Sequence, residues 1–96
     1  MSQVSWTNAA LADVQRHFET LEQVNLEAAV KAAHAIRKAG DSLEHNSRRG
    51  AIVHEATGLR KLRAAFGKYG FIIHYIVLED EVVILRVYHG REDRPN

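Results

Sequence analysis

The residues best suited to chemistry lie together near the end of the chain, in the stretch R-V-Y-H-G-R-E-D-R, residues 86–94. Its arginines can each donate two parallel hydrogen bonds to a phosphate, and its histidine can move a proton near neutral pH. These residue types fit a phosphate-directed site. They also fit a solvated strand end, which residue type alone favours because exposed charge clusters are mostly solvated. The candidates in this stretch are Arg86, Tyr88, His89, Arg91 and Arg94.

Other kinds of catalytic site find little support in the sequence. The six histidines, at positions 17, 34, 45, 54, 74 and 89, include no pair at i, i+2 or i, i+4 spacing. His54 and Glu55 begin like a zinc-protease motif, but Gly58 stands where the second histidine belongs. There is no cysteine and no glycine-rich phosphate loop, and the serines lie away from the predicted sheet. We therefore expect no metal, no cofactor and no nucleophilic triad.

Size and charge bound the class of protein. A chain of 96 residues with 46% hydrophobic content suits one domain, residues 1–96. It has no apolar run of roughly 18 residues and no signal-like start, so we expect no membrane span and a cytoplasmic location. Residues 1–47 carry four Lys/Arg against six Asp/Glu, and residues 48–96 carry nine against six. The basic second half would attract an acidic partner, although ordinary solubilising charge explains this small excess equally well.

Helical periodicity fills the first half of the chain. Thr7 and Asn8 are good N-cap residues and Asn25 is another, which predicts two helices joined near Asn25. The apolar stripe of the first helix, at spacings of three and four, is Leu11, Val14, Phe18 and Leu21, and that of the second is Leu26, Ala29, Ala33, Ile36 and Leu43. A helical hairpin cannot bury such stripes alone, so it must pack on another layer.

From Ser47 the hydrophobic period changes to two, which indicates strands. The predicted strands are residues 51–55, 59–66, 71–78 and 82–89, and the third is an apolar run typical of a central strand covered on both faces. With a short apolar start, these elements predict an α+β domain: a short N-terminal strand and a two-helix hairpin packed on an antiparallel β-sheet. Alternation puts Arg86 and Tyr88 on one face of the last strand and His89 on the other, and Arg60 could approach this edge.

The order of these blocks resembles the RelE/ParE superfamily of type II toxin–antitoxin toxins along nearly the whole chain. W-T-N-A-A-L-A-D-V (6–14) is similar to the family's opening helix, and N-L-E-A-A (25–29) is similar to its second helix. The closing strands of the family resemble G-L-R-K-L (58–62), Y-G-F-I-I-H-Y-I-V (69–77) and V-V-I-L-R-V-Y-H-G-R-E-D (82–93). The last block contains the V-x-H-x-R-x-D ending typical of the ParE branch.

The resemblance implies a toxin neutralised by a cognate antitoxin with a DNA-binding N-terminal domain, and an oligomer formed with that antitoxin. For the ParE branch it implies inhibition of DNA gyrase by binding. The target-binding candidates are Arg60, Arg86, Tyr88, His89, Arg91 and Arg94. The antitoxin-binding candidates are Leu11, Val14 and Phe18, although burial in the core is the more common fate of such residues.

The alternative is a RelE-like ribosome-dependent mRNA endoribonuclease. The positions that match its catalytic residues are Arg60, Lys61, Arg86, His89 and Arg91, with His89 as general base. Two departures favour docking over cutting. Ile72 stands where the ribonucleases carry an arginine, and no tyrosine follows Tyr88. A third departure concerns the loop after the second helix, where Ser47 and Arg48-Arg49-Gly50-Ala51 stand in place of the family's usual proline and Gly-Arg pair. A non-toxic interaction module of the same fold is a further alternative.

Overall fold

The chain forms two layers, a helical hairpin and a five-stranded sheet. The computed structural model describes residues 2–95. In chain order the elements are β1 (Gln3–Trp6), α1 (Asn8–Glu22), α2 (Leu26–Asp41), a 3-10 turn (Ser42–Glu44), β2 (Ala51–His54), β3 (Leu59–Ala64), β4 (Phe71–Leu78) and β5 (Glu81–His89). The predicted α+β architecture is confirmed.

Both helices begin where their capping residues predict. The side-chain oxygen of Thr7 accepts a hydrogen bond from the Ala10 amide at 3.1 Å, and that of Asn25 accepts one from the Ala28 amide at 3.1 Å. Each cap satisfies an amide that the first turn of a helix leaves unpaired. Within residues 2–95, neither helix has the length and apolar content needed to cross a membrane.

The sheet has the strand order β1-β5-β4-β3-β2. Strands β2 to β5 form the predicted antiparallel meander. β1 instead runs parallel to β5, with Gln3 opposite Glu81 and Trp6 opposite Ile84, so the sheet is mixed and not fully antiparallel. Parallel neighbours need a long connection, and here everything from α1 to β4 separates the two strands in sequence. Local turn signals therefore could not indicate this pairing.

Two strands end earlier than predicted. β2 ends at His54 and β3 at Ala64, one and two residues before the expected ends. A turn follows β3, in which the Gly70 amide donates a hydrogen bond to the Phe66 carbonyl at 2.8 Å. Gly67 and Gly70 both have positive φ in this turn, a conformation that glycine adopts without steric cost. Phe66 therefore lies beyond the sheet.

The core lies between the helices and one face of the sheet. Its largest fully buried side chains are Tyr75, Phe71, Ile36, Leu43, Ile73, Ile84, Val82 and Val87. The first five residues of β4 are buried, so the predicted cover on both faces is confirmed for that part. α2 approaches β1 closely at Gly40, where an added Cβ would lie 2.5 Å from Cζ2 of Trp6. Glycine is therefore required at this crossing.

α1 turns a partly polar face inward. Its buried residues are Ala10, Asp13 and His17. Within the predicted apolar stripe, Val14 contacts the core but Leu11 remains 42% exposed. Full burial of the stripe, the usual fate of such residues, is thus not found for Leu11. The physical reason is that Asp13 and His17 bond to β5 and draw their own face of the helix toward the sheet.

Candidate functional site

One carboxylate on α1 organises the open half of β5. β1 covers β5 only as far as Ile84, so the later residues have no strand on that side. Asp13 Oδ2 accepts hydrogen bonds from the Val87 amide at 2.8 Å and from Nε of Arg86 at 2.7 Å, and Oδ1 accepts one from Nη2 of Arg86 at 3.0 Å. Burial raises the pKa of Asp13, but these bonds outweigh it and leave the pKa below its ordinary value of 3.8. Asp13 is therefore a charged carboxylate that holds Arg86 in place.

His17, one turn after Asp13, bonds the same stretch of β5. Its Nε2 lies 2.9 Å from the carbonyl oxygen of Val87. Because a carbonyl oxygen only accepts, Nε2 must carry the proton. Burial lowers the pKa of His17 below 6.5, so the ring is neutral at physiological pH. Asp13 and His17 together satisfy both backbone polar groups of Val87.

Glu92 ties the residues after β5 to α1. Its Oε1 accepts a hydrogen bond from the His89 amide at 2.9 Å, and its Oε2 pairs with Nη2 of Arg16 at 3.1 Å. Burial raises the pKa of Glu92, but the His89 amide and Arg16 outweigh it and leave the pKa below its ordinary value. The chain beyond β5 is thereby held against the helix.

These contacts border a pocket of about 670 Å³, here called the His89 pocket. That volume lies in the range of small-ligand sites, about 300–1,000 Å³. Its residues are Arg16, His17, Thr20, Leu21, Phe66, Phe71, His89, Arg91 and Glu92. The aliphatic and aromatic side chains make an apolar lining, and two arginines and a glutamate add charge to it.

His89 has a defined ring orientation in this pocket. Its Nδ1 accepts a hydrogen bond from the Arg91 amide at 3.2 Å, so Nε2 carries the proton in the neutral ring. The ring centroid lies 5.8 Å from that of Phe71 and 6.0 Å from that of Tyr69. The Arg91 guanidinium lies over Tyr69 at 4.9 Å. The pocket therefore presents a guanidinium and aromatic rings, groups that anchor many protein interfaces.

The structure brings some of the predicted site residues together. His89 and Arg91 both line the His89 pocket. On the adjoining edge of β5, the Arg86 guanidinium lies over the ring of Tyr88 at 5.2 Å. Arg94 lies further along the chain, where its Nη1 is 3.5 Å from the carbonyl oxygen of Gly90. Five of the predicted residues thus lie at or near the end of β5.

The two predicted residues on β3 lie elsewhere. Nη1 of Arg60 donates to the carbonyls of Arg48 and Gly50 at 3.1 and 2.8 Å, which braces the loop after α2. The register partner of Arg60 is Tyr75 on β4, and β4 separates β3 from β5. The structure therefore does not bring Arg60 to the edge of residues 86–94. Lys61 lies on the sheet face away from the helices, because its neighbour on β3 faces the core.

The geometry limits the chemistry available to these residues. A ribonuclease site needs a base and cations that converge on one scissile phosphate. Here Arg86 is bound to Asp13, and Arg60 is bound to backbone carbonyls far from His89. Among residues 2–95, no three His, Asp or Glu side chains are grouped so as to hold a metal ion. Arg60 and Arg86 therefore do not converge with His89 on one point.

Four residues that build the site were not predicted from the sequence: Asp13, Arg16, His17 and Glu92. A signal existed for two of them. Asp13 and His17 share a helix face with Ala10, and a polar pair on a face that is otherwise buried must find hydrogen-bond partners. The identity of those partners could not be read locally, since they lie 70 or more positions away on β5.

The antitoxin-binding candidates differ in exposure. Leu11 is 42% exposed, Phe18 is half-buried and Val14 packs against the core. On α2, Leu26 and Val30 are also exposed, at 60% and 53%. The helical hairpin therefore keeps apolar side chains at its surface.

Comparisons with known proteins agree with this architecture. Residues 4–94 match a family described as ParE toxin of type II toxin-antitoxin system, parDE. A solved structure described as the chromosomal ParDE TA system from P. aeruginosa is similar, with a TM-score of 0.77 and 26% sequence identity over 95% of this chain and 98% of that chain. A search of curated proteins found no match.

The fold and the matched range define the chain as a toxin of the type II toxin–antitoxin class. It belongs to the ParE toxin family. The resemblance drawn from the sequence is confirmed, and membership of such a system implies an antitoxin partner.

Proposed function

We propose that this protein binds DNA gyrase and inhibits it by docking, without chemistry of its own, and that a cognate antitoxin neutralises it. The observation that carries the proposal is the His89 pocket, in which Phe66 and Phe71 make an apolar lining beside His89 and Arg91. Arginine and aromatic side chains around a concave apolar surface are typical anchors of protein interfaces. Family membership supports the toxin role, and gyrase as target follows from the resemblance to the ParE branch.

The hydrogen bonds made by Arg86 and Arg60 favour docking over RNA cleavage. Asp13 holds Arg86, and backbone carbonyls hold Arg60, so neither is free to meet a phosphate beside His89. The same conclusion is supported by Ile72, which stands where the ribonucleases carry an arginine.

The gyrase proposal is tested by adding purified protein to gyrase, ATP and relaxed plasmid and following supercoiling on agarose gels. We expect inhibition at near-stoichiometric protein. Arg91→Ala should need a roughly tenfold higher concentration for half-inhibition, because it removes an interface anchor. The matched control is Lys31→Ala on α2, whose side chain is 68% exposed and pairs with Glu27.

Three outcomes separate the alternatives. Full supercoiling at a tenfold molar excess of protein contradicts gyrase inhibition. Cleavage of translated message in a reconstituted translation reaction, lost in His89→Ala, would instead support a RelE-like ribonuclease. Neither effect, together with normal growth on expression, would indicate a non-toxic interaction module.

The antitoxin is proposed to bind the exposed apolar side of the helical hairpin, which includes Leu11 and Phe18. The product of the neighbouring reading frame, added to the gyrase reaction, should restore supercoiling. Leu11→Glu should weaken that rescue because it places a charge in an apolar contact. Leu78→Glu is the matched control, since Leu78 is 53% exposed and lies at the end of β4. Equal rescue of both variants would contradict this surface.

A further inference from the structure

The sheet face that the helices do not cover carries a row of basic side chains. Lys61 on β3, His74 on β4 and Arg86 on β5 are register partners across three adjacent strands. Tyr88, two residues after Arg86, has its ring centroid 5.1 Å from that of His74. Arg86 in turn lies over the ring of Tyr88 at 5.2 Å. The register therefore groups two cations, an imidazole and a phenol on one surface.

His74 is buried in this row without a hydrogen-bond partner for its Nε2. The residue is 3% exposed, and among the described residues no donor or acceptor reaches Nε2. Nε of Arg94 is likewise buried and unpaired within the described part of the chain. Buried polar atoms in folded proteins are nearly always hydrogen-bonded, because leaving one unpaired is costly. Arg94 lies near enough to His74 for its charge to act on the ring, so the two unpaired atoms indicate a site for a further polar group.

The charges around His74 are of one sign. Burial lowers the pKa of His74, and the positive charges of Arg94, Lys61 and Arg86 lower it further. Within residues 2–95, no carboxylate lies within 4 Å of the Lys61 or Arg94 side-chain nitrogens, whereas Arg86 has Asp13. Lys61 and Arg94 are only half-buried, so a solute can reach them. The contacts of Arg94 Nη1 with the Gly90 and Glu92 carbonyls, at 3.5 and 3.4 Å, are longer than those that hold Arg60. The cluster thus has uncompensated positive charge above a neutral imidazole.

We propose that Lys61, His74 and Arg94 form a binding site for a phosphate-type oxyanion on the sheet face away from the helices. Lys61 and Arg94 contact the anion. His74 lies beneath the anion and takes up a proton from solvent. The oxyanion is either free phosphate or a phosphodiester of a nucleic-acid strand, which present the same oxygens to these cations. The site is separate from the His89 pocket and does not depend on gyrase binding.

The free-anion arm uses NMR on the full-length, ¹⁵N-labelled protein. Inorganic phosphate is titrated at pH 6.5 and constant ionic strength, with chloride as the reference anion. We expect saturable shifts of the His74 ring nitrogens that chloride does not produce. Bound anion offsets the neighbouring positive charges and favours the protonated ring, so saturating phosphate should raise the pKa of His74.

The phosphodiester arm measures fluorescence anisotropy of a labelled 12-base-pair DNA duplex. Lys61→Gln and Arg94→Gln should each weaken binding, together by about tenfold, and each should reduce the salt slope by about one. Lys31→Gln removes the same charge from α2, on the other layer of the molecule, and should leave the affinity unchanged. Circular dichroism and thermal melting show whether each variant is folded.

The results of the two experiments either identify the type of ligand or contradict the proposed site. Phosphate-dependent shifts of His74 without DNA binding support a free-anion site. DNA binding that Lys61→Gln and Arg94→Gln weaken, but Lys31→Gln does not, supports a phosphodiester site. The proposal is overturned if His74 responds to neither ligand, or if Lys31→Gln weakens binding as much as the two site variants do.

Discussion

Asp13 is the residue on which most of the local order at β5 depends. It accepts hydrogen bonds from the Val87 amide and from two nitrogens of Arg86, and it lies within 3.4 Å of Arg16. The side chain is 95% buried, so removal leaves partners without an acceptor in a place that water does not easily reach. Its main role is therefore to set the geometry of the strand that carries the site.

Asp13→Ala should lower the free energy of unfolding by about 2–3 kcal/mol, because it leaves the Val87 amide without an acceptor and removes the ion pair with Arg86. Urea unfolding followed by circular dichroism measures the change. Glu27→Ala is the control: Glu27 pairs with Lys31 on the helix surface with 76% of its side chain exposed, and its loss should change stability by less than about 0.5 kcal/mol. Similar losses in both variants would count against the role of Asp13.

The two ends of the sheet differ in how far their backbone groups are already hydrogen-bonded. After Ile84, where the pairing with β1 ends, Asp13 and His17 hydrogen-bond the backbone polar groups of Val87. Glu92 accepts a hydrogen bond from the His89 amide. An edge whose backbone groups are already bonded is a poor template for another strand. β2, at the opposite end of the sheet order, has only β3 as a neighbour among the described strands. A partner strand would therefore add at β2 in preference to this half of β5.

The crossing of α2 and β1 supplies a second test at this scale. Gly40→Ala would ordinarily stabilise a helix by about 0.5–1 kcal/mol. Here we expect a loss of about 1–3 kcal/mol, because the new Cβ would lie 2.5 Å from the Trp6 ring and 2.8 Å from Ile84. Thermal melting of Gly40→Ala, Trp6→Leu and the double variant measures the coupling. Additive effects, or a more stable Gly40→Ala, would show that the close contact is not limiting.

The difference in net charge between the two halves of the chain becomes a difference between the two layers of the fold. The acidic first half supplies β1 and both helices, and the basic second half supplies strands β2 to β5. The helices cover one face of the sheet, Lys61 lies on the other face, and Arg91 and Arg94 follow the end of β5. A modest excess in composition thus produces basic surfaces suited to anionic partners.

Stability should fall as pH drops from 7.5 to 5. Burial lowers the pKa of both His17 and His74 below 6.5, so the unfolded chain binds protons at these rings that the folded chain resists. Their contribution is fully present above about pH 6.5 and decreases below it. Urea unfolding at pH 7.5, 6 and 5 checks the slope. His17→Gln keeps a donor for the Val87 carbonyl and should flatten it, whereas a wild-type stability that rises with acid would contradict this account.

Much of the fold followed from patterns that are local in sequence. Thr7 and Asn25 cap the helices with contacts three residues away, and the change of period after Ser47 and the apolar run 71–78 marked the sheet. The order of those blocks also indicated the family. Strand alternation correctly grouped Arg86 with Tyr88. These features need only neighbouring residues, which is why the sequence alone determined them.

The parallel pairing of β1 with β5, the inward face of α1 and the position of Arg60 away from His89 arise only when the two layers pack. Gln3 meets Glu81, and Asp13 meets Arg86 at a separation of 73 positions, so no local pattern encodes either contact. The Arg60 side chain bonds to the loop after α2 and lies away from His89, because β4 separates the strands that carry the two residues. Contacts across such separations depend on how the two layers pack. The layers pack so that few polar groups are buried without a hydrogen-bond partner, and this condition involves residues from the whole chain.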